Sequence, residues 1–270
     1  MGIPSLDEYA QGISSWYAEL NAFSRARRRS REQADDLGSA EVVQGMWCAD
    51  LPPIPRGFPR EACFELTRDE ALFLKERIIR HCPGTLLATL ASERHEVAVD
   101  APWRLDFPEH RGLIHHAKMF ALVMHGATIL YNILLARHCH ETLGRDDSRA
   151  WIENHETAWT NWLKMVEDVD VRGWNLDALF ALTPRVPFRT REFVRRWVAL
   201  AREGLDALHG SEAAAQLIRS RERNLKHERS RFVSRKALEQ WNGQSGVLFT
   251  YRWNRVSRFL EDLYAGLEVE

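Results

Sequence analysis

Apolar residues recur at three- and four-residue steps along most of this chain, the period of helices that turn one face to a core. From Ser5 to about Arg29, Leu6, Tyr9, Ile13, Trp16, Leu20 and Phe23 keep that spacing, and Arg25, Arg27, Arg28 and Arg29 suit the helix's carbonyl end. The proline-rich stretch Leu51–Pro59 excludes a regular helix. Thr67 reads as the cap of a helix reaching Arg80, because Asp69 and Glu70 fall in its first turn. Pro83-Gly84 breaks that helix, and a short one follows from Thr85 to Ala91. Ala101–Pro108 reads as a second extended connector.

The most apolar part of the chain comes next. Met119–Ala136 holds no formal charge over 18 residues, which meets the lower length limit for a membrane span. His125 and Asn132 in its middle, and the lack of a second such run, favour a helix buried on all sides over about 113–141. Further helices are expected over 148–169, 189–208, 211–240 and 255–267, with the turn Asn242–Gly246 stopping the third of these. Glu96–Val99 and Val247–Tyr251 are the best strand signals. The pattern thus predicts a mainly α protein: a multi-helix bundle around the central apolar helix, with few or no strands. It reads as a single helical domain over 1–270, with a subdivision near residue 100 as the alternative.

Composition narrows the class. With 45% hydrophobic residues in 270, the chain can bury a real core, and its ten Trp read first as packing anchors. Four cysteines without a Cys-x-x-Cys pair, and no basic-then-apolar N-terminus, point to a reduced, cytoplasmic protein. The formal charge is only −1, yet eight Lys/Arg against two Glu lie between Arg219 and Lys236. On one continuous helix, Ile218, Leu225 and Phe232 would form an apolar stripe, while Arg219, Arg223 and Lys226 share another side and Arg229 extends it. Such a helix suits backbone phosphates of DNA or RNA, or an acidic protein; a plain solvated face has the same pattern.

A second pattern is polar. Arg111, Lys118, His125 and Asn132 follow at seven-residue steps along the central helix. Two readings compete: paired groups that hold neighbouring helices in register, or a cleft in which His125 moves a proton beside Lys118, as in a hydrolase or nuclease. His138-Cys-His-Glu141 has poor metal geometry, because histidines two residues apart diverge on a helix, so no metal site is expected. Phosphate-loop, Gly-x-Ser-x-Gly and His-Glu-x-x-His motifs are absent from the sequence, which leans the reading away from an enzyme and gives no cofactor.

Several segments together resemble a bacterial family catalogued as a domain of unknown function, DUF6361. They are Pro4–Tyr9, Leu51–Pro59, Phe64–Glu70, Pro102-Trp103, Ala117–Ala136 and Tyr251-Arg-Trp253, and Met124-His-Gly-Ala127 and Leu130-Tyr-Asn132 are the most specific. The resemblance spans nearly the whole chain. It implies no established activity, but a place among bacterial DNA-modification and phage-defence genes. It also implies a further region ahead of Ser5, supplied here by a separate polypeptide partner. The expectation is a non-enzymatic subunit of such an assembly that docks a protein partner, contacts nucleic acid through Arg219, Arg223, Lys226 and Arg229, and does not enter a membrane.

Overall fold

A computed structural model describes residues 65–268. The expected helix over 5–29 and the proline-rich connector at 51–59 lie outside the described residues. Among the described residues the protein is predominantly helical and forms no strand. The chain divides into two compact units. Of the described residues, one takes in 65–95 and 259–268, and the other is Glu96–Arg258.

In the first unit, α1 (Arg68–His81) starts as the sequence predicts. The Glu70 N–H donates to Thr67 Oγ1 at 3.4 Å, and the Thr67 N–H donates back to Glu70 Oε2 at 2.8 Å, a reciprocal cap that satisfies two otherwise orphaned donors. Thr85 caps α2 (Leu86–Ser92) through the Ala88 N–H at 3.2 Å. Lys75 ties the two helices together by donating to the Ser92 carbonyl at 2.8 Å. The end of the last helix completes this unit: Tyr264 donates to the Leu90 carbonyl at 2.6 Å in a buried position.

The second unit is built on α3 (Arg111–Leu143), a 33-residue helix closely matching the predicted central one. By length and composition it is apolar enough to cross a membrane, but 72% of its most apolar stretch is buried within the protein. It is a core helix. Around it pack α4 (Asp147–Val166), α5 (Leu176–Leu182), α6 (Phe188–Glu203) and α7 (Glu212–Lys226), and their apolar faces share one core with it. Next come α8 (Arg235–Glu239) and α9 (Trp253–Glu268), which gives its first residues to this unit and the rest to the other.

Tryptophans set the spacing of the bundle. Trp162 on α4 donates to the Leu122 carbonyl at 2.8 Å, and Trp197 on α6 donates to the Val123 carbonyl at 2.9 Å. Two adjacent carbonyls of α3 therefore anchor two different helices, each through an indole that is otherwise apolar. The Trp162 ring lies so close to α3 that a Cβ on Gly126 would stand 2.4 Å from it.

Three expectations need correction. The connector at 101–108 is not extended: Pro102–Arg104 and Pro108–His110 are short 3-10 turns, each begun by a proline whose fixed φ suits the first position of a helical turn. Neither Glu96–Val99 nor Val247–Tyr251 is a strand. The first closes a tight turn, with the Val99 N–H donating to the Val97 carbonyl at 2.8 Å. The second follows Ser245, whose backbone Asn132 holds, and is tied to α3 by the Tyr251 hydroxyl donating to the Ala117 carbonyl at 3.0 Å. Finally, the basic helix does not run from 211 to 240. It stops at Lys226, where His227 takes φ 49°, and turns through His227–Arg229 before α8.

Candidate functional site

The seven-residue polar line does not converge on one place. Arg111 is exposed and pairs with Asp106 at 3.5 Å. Lys118 is exposed, and seven residues of helix put half-buried His125 about 10 Å further along the axis. Asn132 is buried and does structural work: its Nδ2 donates to the Ser245 carbonyl at 3.0 Å, and its Oδ1 accepts the Ser245 N–H at 2.9 Å. This is the register-holding role, in which a buried side-chain amide satisfies the backbone of a loop.

His125 is half-buried, and its Nδ1 is enclosed without a hydrogen-bond partner. Burial holds its pKa below the ordinary histidine value, and His116 and His138 shift the same way, also chiefly through burial. The unfolded chain then binds protons near pH 6.5 that the folded chain refuses, so stability is full above that value and declines as pH falls toward the folded pKa values. Thermal midpoints measured between pH 7.5 and 5 should fall, and His125→Gln should make that fall shallower.

The basic residues separate into two groups. Arg221 and Arg231 are structural. Arg221 donates to the Arg189 carbonyl and to Thr190 Oγ1 at 3.2 and 2.9 Å and covers the Phe193 ring, while Arg231 donates to the Tyr131 hydroxyl at 2.9 Å and to Ser245 Oγ at 3.1 Å. The predicted group faces outward. Arg219 holds a solvent-exposed pair with Glu212 at 3.2 Å, and Lys226 lies 3.6 Å from Glu222. Arg223 and Arg229 are exposed and make no ion pair among the described residues. Arg229 sits beyond the break, so the four residues span two elements and not one helical face. On another side of α7 a groove of about 280 Å³ between α6 and α7 is lined by exposed Arg189, Glu192 and Arg196 and by Phe188, 78% exposed, and includes none of these four residues.

One charged group in this region is buried. Glu222 is 4% exposed and belongs to the same face of α7 as Ile218 and Leu225, so the helix carries a carboxylate within its apolar stripe. Its Oε1 accepts the Arg231 N–H at 3.1 Å, a bond that stabilises the chain's turn away from helix after Lys226. Its Oε2 is fully enclosed, and the Tyr131 phenol hydrogen-bonds with the carboxylate. The carboxylate faces a cavity of about 410 Å³ whose walls include Met124, Ala127, Tyr131, Ile218, Leu225 and Gly246. Burial raises the Tyr131 pKa to about 12; the Arg231 hydrogen bond works against that rise and the Glu222 charge adds to it. The phenol therefore keeps its proton at neutral pH and cannot serve as a base.

The loop that closes this region is fixed from three sides. Trp241 is buried against Trp151 and donates to Ser245 Oγ at 2.9 Å, and His155 Nε2 meets the Gly243 carbonyl at 2.7 Å. Gly243 has φ 90°, and a Cβ there would stand 2.4 Å from the Trp151 ring, so both conformation and space require glycine.

Sequence reasoning missed Glu222, Tyr131, Arg231 and Ser245. A signal existed for the first: within a basic run, Glu222 is the acidic residue that shares the face of Ile218 and Leu225. His138 and His140 are engaged locally, with Thr142 Oγ1 at 3.2 Å and Ser148 Oγ at 3.0 Å. No curated protein and no solved structure matches the chain. The model of one family, described only as a family of unknown function, matches residues 17–266, nearly the whole chain. The chain therefore belongs to the DUF6361 family.

Proposed function

We propose that this protein is a non-catalytic helical subunit of a cytoplasmic bacterial defence or DNA-modification assembly, and that it contacts nucleic acid through the outward basic residues of α7 and the turn after it. The observation that carries the reading is local: in a chain of formal charge −1, Arg223 and Arg229 are exposed and make no ion pair among the described residues. Cations left unpaired in this way are available to phosphates. Docking of a protein partner draws support from the exposed apolar side chains of Leu225, Val233 and Val247. The type of assembly is what the family resemblance implies.

The test is fluorescence anisotropy of labelled single- and double-stranded DNA and RNA across a salt series, with the Arg219/Arg223/Lys226 triple alanine variant alongside. Binding should weaken steeply with salt, and the logarithmic slope should drop by about 0.7–0.9 for each phosphate-contacting cation removed. Binding absent at low salt, or a slope unchanged in the variant, would refute the basic surface as the contact.

A further inference from the structure

We propose that the furrow between α6 and α7 docks an amphipathic helix of a protein partner, one that presents an acid, a base and an acid at three- and four-residue steps beside an apolar stripe. The furrow includes none of the residues assigned to phosphate contact, so the proposal does not rest on that reading.

Its shape comes from the two helices. The lining residues run from Phe188 to Arg196 on α6 and from Leu217 to Asn224 on α7, so the furrow follows both helices for roughly two turns, about 10–12 Å. A third helix fits such a space by laying its ridge of side chains between the other two. Half-buried Phe193 and buried Leu217 supply apolar lining, and Phe188 stands at one end with 78% of its surface in water, open to a docked leucine. The walls are tied together before any partner arrives. Arg221 reaches from α7 to the Arg189 carbonyl at 3.2 Å and to Thr190 Oγ1 at 2.9 Å, and covers the Phe193 ring. A groove held in this way spares a partner the cost of ordering it.

Charge sets the register and selects the occupant. On the α6 rim Arg189, Glu192 and Arg196 are exposed and make no ion pair among the described residues, whereas the α7 rim offers uncharged Ser220 and Asn224. A helix lying in the furrow meets plus, minus, plus, and complements it with acid, base, acid. A phosphate backbone is negative throughout and is repelled by the glutamate between the two arginines. A second copy using the same rim fares no better, because the order reads the same in both directions and like charge faces like in either orientation.

The probe is a labelled helical peptide of about 15 residues, lactam-bridged because helices this short are marginal in water, with Glu, Lys and Glu at three- and four-residue steps beside leucines. A second peptide exchanges each Glu for Lys and the Lys for Glu. Affinities are read by fluorescence anisotropy on the full chain, on the triple variant Arg189→Glu/Glu192→Lys/Arg196→Glu and on Phe188→Ser. The first peptide is expected to bind the unaltered chain at least tenfold more tightly than the second, and the triple variant to reverse that order. Phe188→Ser should weaken the first peptide about tenfold, and the Arg219/Arg223/Lys226 alanine variant should bind it as before. No binding of the first peptide at millimolar concentration, equal affinity for the two peptides, or an order that survives the triple variant would overturn the assignment. Displacement of the first peptide by oligothymidine would give the furrow to nucleic acid instead, and a dimer in light scattering that the triple variant abolishes would give it to a second copy. If the triple variant fails to fold, Phe188→Ser and the ranking of the two peptides on the unaltered chain decide.

Discussion

Gly126→Val is expected to cost about 4 kcal/mol, because the valine must either displace the Trp162 ring from its place against α3 or push α4 away. The site leaves no room: even a single Cβ would come within 2.4–2.8 Å of three atoms of a ring that is 1% exposed and hydrogen-bonded to Leu122. For a chain of this size, about 2–4 °C per kcal/mol translates that loss into a fall of roughly 8–16 °C in thermal midpoint. Gly112→Ala is the control. It lies in the same helix with nothing within 4 Å of its would-be Cβ, so better helix propensity should raise the midpoint slightly. Comparable losses in the two variants would show that helix backbone effects, and not the Trp162 contact, govern the result.

The second large effect is expected at Asn132. Asn132→Leu keeps the side chain's approximate size but strips both partners from the Ser245 backbone, leaving a donor and an acceptor unpaired at about 1–3 kcal/mol each. Part of that penalty is relieved if the loop opens to water, so a net loss of about 2–4 kcal/mol is expected. The opening is itself measurable: amide exchange at Ser245 and Gly246 should accelerate more than exchange in the middle of α4. Unchanged exchange there would mean that Trp241 and His155 hold the loop without Asn132.

How far these features can be read from the sequence differs by element. The long uncharged run fixes α3 to within about two residues at each end because no other arrangement hides that much apolar surface. Thr67 and Glu70 fix the start of α1 by purely local hydrogen bonding. The end of α7 was not legible in this way. No glycine or proline follows Lys226, and the apolar spacing of Ile218, Leu225 and Phe232 continues as if the helix did. What ends it is tertiary: buried Glu222 takes the Arg231 N–H, Ser230 is fully enclosed, and Phe232 packs on Tyr131 while Leu225 stays 61% exposed. The apparent strand at 247–251 fails for a related reason. Its β-forming residues have no strand edge to pair with among the described residues, and the Tyr251 side chain and the Asn132 bonds to Ser245 just ahead attach this stretch to a helix instead.

The candidate site was half visible. Arg223 and Lys226 lie on the surface, as their spacing suggests, and a buried Asn132 with paired amide follows from its place in the apolar run. The Glu222 cavity was hidden, because it gathers residues from positions 124 to 246 whose proximity depends on the bundle having formed. A sequence can show that a carboxylate sits on an apolar stripe; it cannot show that Arg231 and Tyr131 meet it once the bundle has formed.

The bond between Tyr264 and Leu90 joins residues 174 positions apart, and that separation sets an order of events during synthesis. Helices α1 and α2 leave the ribosome early, whereas the part of α9 that covers Leu90 leaves late. At about 5–20 residues per second, roughly 10–35 s pass between the two. All of Glu96–Arg258 is made in that interval and can settle into its own core first. Among the described residues, the place at Leu90 that Tyr264 closes is therefore completed only at the end of synthesis, and until then it is a point where chaperone protection of the newborn chain would act.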